Sequence, residues 1–149
     1  MLKLVGRKHP ALHRPARAIA PEEIGGLAPL AADMVAYCRS GKGRLGLAAP
    51  QVGRSVALVV TRAGDIVANP HVYLDKNERT ITDIEGCLSL PGRLYRVERA
   101  VRCTVRGVSL DWEPMEFTVV GTEARLWQHE GDHLNGVLIS ERWPEVTRR

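Results

Sequence analysis

The stretch that decides the reading is Thr122-Glu-Ala-Arg-Leu-Trp-Gln-His-Glu-Gly-Asp-His-Leu134. It contains His129-Glu130-Gly131-Asp132-His133, a His-Glu-x-x-His motif. Residues four apart on a helix share one face, one turn above each other, so two imidazoles at this spacing can hold a single metal ion. Glu130, next to the first His, is then close to the open coordination position, where a carboxylate can move the proton of a metal-activated water. A three-position motif also arises by chance on solvated helices. Here Leu126 and Trp127 before it and Leu134 after it give the helix a buried face, and two of the chain's five His fall in it. The expected helix runs from about Thr122, as N-cap, to Leu134.

A zinc protease built on this helix takes a third His or Glu downstream. The downstream candidates, Glu141 and Glu145, sit in no helical pattern, and the remaining His are at 9, 13 and 71. Upstream lies Glu85-Gly86-Cys87-Leu88-Ser89. A Cys87 thiolate would complete a Cys-His-His set with one position left for water. The alternative is that Cys87 is a small buried hydrophobe, the usual state of an intracellular cysteine.

The rest of the chain frames this motif. Its 149 residues suit one domain, 44% hydrophobic and 26% charged, with 14 Gly and 9 Pro favouring short elements and many turns. Residues 1–20 form an extended arm punctuated at Pro10, Pro15 and Pro21. A helix follows over 29–39, with Leu30, Met34, Val35 and Cys38 at three- and four-residue spacing. Strands are expected at 56–60, at 72–74 after a break at Asn69-Pro70, once or twice within 94–110, and at 117–120. The pattern is α+β, mostly antiparallel strands packed around a late core helix.

A net charge of +4 and a pI of about 9.3 are a weak basic bias. Arg and Lys are scattered, and one Phe, three Trp and three Tyr make no base-stacking platform, so no direct nucleic-acid site is expected. No apolar run is long enough for a membrane span, and the charged first ten residues do not read as a secretory signal. Three cysteines, Cys38, Cys87 and Cys103, do not form a disulfide framework, and a reducing cytoplasm is the expected location.

Three segments together resemble the peptide deformylase family: Gly46-Leu-Ala-Ala-Pro-Gln51 with Val52-Gly53 following, Glu85-Gly-Cys-Leu-Ser89, and Gln128-His-Glu-Gly-Asp-His-Leu134. The arm, His9-Pro-Ala-Leu12 with Pro15-Ala16, is also similar to the family's opening. The resemblance implies one catalytic domain over 1–149 that removes the formyl group from N-formylmethionyl nascent peptides. It implies Cys87, His129 and His133 as ligands of Fe(II), with Zn(II), Ni(II) or Co(II) as substitutes, and Glu130 as general acid/base. Gln51 and the Leu88 backbone N–H would stabilise the oxyanion, which needs donors about 3 Å away. Gly46 would pair with the substrate backbone, with Leu45, Glu85 and Arg44 on the substrate side. Asp132 would steady a ligand His or a nearby Arg, Arg125 being the candidate.

Two departures stand out. Arg44 occupies a position where the family pattern has Gly, and either narrows or recharges the methionine pocket or points outward from a loop; Asp83 is also expected near that pocket. Only about thirteen residues follow Gly136, with Pro144 among them, which speaks against ribosome docking through a long terminal helix. Two other functions remain open to the residues alone, a zinc peptidase on the same helix and a catalytically silent binder of formyl-peptides. The first lacks a downstream ligand, and the second has to explain an intact Cys87, His129, His133, Glu130 and Gln51.

Overall fold

The computed structural model describes residues 2–146. Seven strands and three α-helices follow one another as α1 (Ala28–Arg39), β1 (Gly46–Ala48), β2 (Leu58–Thr61), β3 (Ile66–Tyr73), β4 (Thr80–Cys87), β5 (Leu90–Ala100), β6 (Arg102–Val108), β7 (Pro114–Val120), α2 (Thr122–Leu134) and α3 (Ile139–Arg142). Five strands form an antiparallel sheet in the order β1-β2-β3-β6-β7, and β4 and β5 form a separate antiparallel ribbon.

Alternation along the strands builds two cores from one sheet. Leu47, Leu58, Val60 and Ala68 point to α1, where they meet Ala31, Met34, Val35 and Cys38. Ala48, Val59, Val67 and Val105 point to the opposite face, against Ala124, Trp127 and Leu134 of α2. Phe117 meets the Trp127 ring edge-on at 5.3 Å between centroids. Helix α2 thus spends its 124/127/134 stripe on the sheet. Its 126/129/130/133 stripe, spaced by three and four residues, is left for the ribbon and the cleft beside it.

Several sequence expectations change here. The arm is not extended throughout, because Pro10–Leu12 is a 3-10 turn, and a second such turn, Pro21–Leu27, follows it. Asn69-Pro70 does not break the strand. It makes a bulge within β3, with Asn69 at φ 49° and its amide pinned to the Ile19 N–H and C=O at 2.7 and 2.9 Å. The cap of α2 is Gly121, with φ 62°, and not Thr122, which is already helical. Strand β4 was not expected. Residues 94–110 are the end of β5 and β6, separated at Val101. The tail after Gly136 carries only the four-residue α3; residues 147–149 lie outside the described residues.

Candidate metal centre and active site

Strand β4 ends at Cys87, where the register with β5 shifts and Cys87 faces Leu90 across a tight turn through Leu88 and Ser89. This turn delivers the buried Cys87 thiol to α2. Cys87 Sγ lies 3.4 Å from His133 Nε2, and the ligand atoms of Cys87, His129 and His133 all fall within 4.8 Å of one another. One soft sulfur and two imidazole nitrogens at this separation fit a single Fe(II) or Zn(II) ion. Burial holds His133 well below the usual imidazole range, so its ring is the neutral form that a metal needs. His133 Nδ1 and Glu130 Oε2 are buried without a hydrogen-bond partner.

Glu85 organises the first His. Its Oε1 is 2.8 Å from His129 Nδ1, while Arg99 donates to both of its oxygens at 3.0 and 3.1 Å and Arg125 to Oε2 at 2.6 Å. Burial opposes ionisation of Glu85, but the bonds from His129 and Arg99 outweigh it and hold the carboxyl down at about 2. With Nδ1 engaged, Nε2 of His129 is the nitrogen left for a metal.

Glu130 is only 3% exposed, and burial pushes its carboxyl up to about 7. It lies against Gly46, where any side chain would intrude: a Cβ there would stand 3.2 Å from Glu130 Oε1 and 2.7 Å from Leu126 Cδ1. Gln51 is 1% exposed, on the 3-10 turn that follows β1. Its Oε1 accepts from the Ala48 N–H at 2.9 Å, which fixes the amide so that Nε2 faces Ser89 Oγ at 3.2 Å and Cys87 Sγ at 4.0 Å. Leu88, Gly46, Leu45 and Asp83 line the cleft that leads to His129 and Glu130, a cavity of about 780 Å³.

The family profile described as Polypeptide deformylase matches residues 1–149. The chain belongs to the peptide deformylase family. A peptide deformylase of Carboxydothermus hydrogenoformans is 37% identical over 139 residues, 91% of this chain and 87% of that protein. The solved peptide deformylase of Thermotoga maritima superposes with a TM-score of 0.86 at 34% identity, over 95% of this chain and 97% of the other. That of the Vibrio parahaemolyticus bacteriophage VP16T, solved in complex with actinonin, gives 0.81 at 33% identity, over 91% and 98%.

Within this family member three expectations are corrected. Arg44 is not part of the cleft wall: its guanidinium lies over the Tyr37 ring, 4.1 Å from the centroid, and bonds to Ser40 Oγ and the Tyr37 carbonyl. Glu85 reaches the cleft wall, but both its carboxylate oxygens are engaged by Arg99, Arg125 and His129 and turn away from the open cleft space. The partner of Asp132 is Arg99 at 2.7 Å, with Arg142 at 3.7 Å; Arg125 goes to Glu85 and to the Val97 and Ile81 carbonyls. Arg99 and Ser89 were missed in the sequence. Arg99 had a signal, since Tyr95, Val97 and Arg99 alternate on the buried face of β5.

Proposed function

We propose that residues 1–149 act as one catalytic domain that hydrolyses the formyl group from the formyl-methionine of nascent peptides. The observation that carries this is the convergence of Cys87, His129 and His133 beside an unpartnered, buried Glu130 carboxylate. When bound, Fe(II), or Zn(II), Ni(II) or Co(II) in its place, supplies a Lewis acid that brings the pKa of a coordinated water towards neutrality.

The chain supplies the rest. Glu130 takes the proton of the attacking water and returns it to the leaving amine, so formate and a free N-terminus depart. A carboxyl near neutrality suits both directions of that transfer. The Gln51 Nε2 and the Leu88 N–H donate to the oxyanion that forms on the formyl carbon; Gln51 is already oriented by Ala48 and needs no rearrangement. Among the described residues strand β1 pairs only with β2, and Gly46 on its other edge lines the cleft, where a peptide backbone can add as a strand. Leu45, 48% exposed, offers apolar surface beside it. Among the described residues no helix is long and apolar enough to cross a membrane, and free cysteines suit the cytoplasm, where nascent chains emerge. The last helix among the described residues, α3, has four residues.

The test is formate release from formyl-Met-Ala-Ser against unformylated Met-Ala-Ser, with protein loaded with Fe(II), Ni(II) or Zn(II). Release from the formylated peptide, lost on chelation, is expected. Peptide-bond cleavage of the unformylated peptide, or no formate with any metal, would overturn the assignment.

A further inference from the structure

Arg44, Tyr37 and Ser40 form a contact that the reaction does not use directly. Helix α1 ends at Arg39, and the loop from Ser40 to Leu45 carries Gly43 and Leu45 into the wall of the catalytic cleft. Arg44 sits between these two wall residues but turns away from the cleft. Its guanidinium covers the face of Tyr37, donates to Ser40 Oγ at 2.8 Å and to the Tyr37 carbonyl at 3.3 Å. Tyr37 is itself packed against the α1 core, so the contact has a fixed footing. A cation at the last carbonyls of a helix is also favourably placed for the helix dipole.

The loop is shaped around this side chain. A Cβ on Gly41 would stand 2.6 Å from Arg44 Nε and 2.7 Å from its Cζ, so only a residue without a side chain lets the guanidinium approach this closely. Gly43 has φ 73°, a left-handed turn that reverses the chain before Arg44. Arg62 braces the other side: Nη1 donates to the Cys38 and Gly41 carbonyls at 2.6 and 2.7 Å, and its N–H to the Leu45 carbonyl at 2.8 Å.

We infer that Arg44 is a positioning residue for substrate binding, latching the 40–45 rim of the cleft onto Tyr37 and Ser40 of the α1 terminus. The latch fixes the rim in one conformation and keeps a long cationic side chain out of the peptide's path. The inference rests on the formyl-peptide reading above. A preformed rim serves ground state and transition state alike, so its loss raises KM and leaves kcat in place.

The experiment compares Ni(II)-loaded wild type with Arg44→Ala, Tyr37→Leu, Arg44→Lys and the double variant Arg44→Ala/Tyr37→Leu. Arg106→Ala serves as control, because its exposed pair with Glu116 lies on β6 and β7. Each single loss should raise KM for formyl-Met-Ala-Ser roughly three- to tenfold, with kcat within about twofold. The double variant should be no worse than the poorer single one, since both remove the same contact. Arg44→Lys should recover part of the KM. Amide hydrogen exchange at residues 41–45 should quicken in the single variants and stay unchanged in α2. Unchanged KM and exchange in both single variants, or full additivity in the double, would overturn the latch. A selective loss of acidic peptides in Arg44→Ala would also overturn it, because Arg44 would then touch substrate. The exchange arm needs no turnover, so a wild type that released no formate would undo the activity reading while the latch is still judged.

Discussion

Glu85 Oε1 sits 2.8 Å from His129 Nδ1, and the same carboxylate is gripped by Arg99 and Arg125. The two motifs that meet in the Cys87, His129 and His133 cluster are therefore tied together a second time, through this ion cluster. Glu85 lies two residues before Cys87 on β4, so the grip also fixes the strand that delivers the thiol.

Glu85→Gln keeps the shape but halves what the group can do. One amide oxygen can still accept, while the NH₂ faces arginine donors that it cannot satisfy. Metal affinity should fall about 10- to 100-fold, the usual effect of removing a carboxylate behind a ligand His. Competition with a chromogenic chelator measures this, and affinity equal to wild type would show that the Glu85–His129 contact does not orient the ligand.

Arg99 presents a different risk. It is 5% exposed and bridges Glu85 to Asp132, so its removal takes the shared cation from two largely buried carboxylates. Breaking such a cluster from one side costs about 3–5 kcal/mol. Arg99→Ala should lower the denaturant midpoint accordingly, while Asp132→Asn, at a less buried position, should cost less. A stability change under about 1 kcal/mol for Arg99→Ala would mean that water reaches the cluster and screens it.

The shared face of His129 and His133 and the extent of α2 were legible because a helix writes its faces into the sequence at fixed spacing. His129, Glu130 and His133 share one stripe and Ala124 and Trp127 the other. Strand β4 was not legible. Its residues 80–84 are exposed, Ile81 and Ile84 included, because the ribbon borders a cleft instead of covering a core, and no apolar alternation results. Arg44 shows a second limit. Its neighbours in sequence suggested the substrate pocket, yet its side chain reaches back seven residues to Tyr37, a direction set by Gly41 and Gly43 and by no periodicity. The choice of Arg99 over Arg125 for Asp132 likewise depends on how the ribbon crosses α2, which local spacing does not encode.

Glu130→Gln should retain the metal and lose most turnover. An amide cannot accept and return a proton, and general acid–base groups contribute about 10²–10⁴-fold. Folding should survive, since Glu130 Oε2 has no partner to lose. The measurement is kcat at saturating formyl-peptide with metal content determined on the same sample. A variant that holds its metal and turns over within a few-fold of wild type would remove Glu130 from the proton path.

Gly46 and Gly86 both line the cleft, and the structure separates them. A methyl on Gly86 would meet Leu94 Cδ2 at 3.5 Å and nothing nearer, an ordinary contact. A methyl on Gly46 would stand 2.7 Å from Leu126 Cδ1, 3.2 Å from Glu130 Oε1 and 3.3 Å from the Val60 carbonyl. The Val60 carbonyl belongs to the paired strand β2 and cannot retreat, so the side chains on α2 must give way. Leu126 can rotate, but the cleft is the space open to it, and Glu130 shifts with it. Displacement of a proton-transfer group by a fraction of an ångström to 1 Å can cost up to about 10²-fold. Gly46→Ala should therefore lower kcat/KM about ten- to a hundredfold with the metal retained, because Cys87, His129 and His133 are not touched. Gly86→Ala should fall by no more than about threefold, since Leu94 is half exposed and free to adjust. Steady-state kinetics with formyl-Met-Ala-Ser, alongside metal analysis, compares the two. Equal losses in both variants would show that the cleft senses any added methyl, and that the close approach of Gly46 to Glu130 has no special part in the reaction.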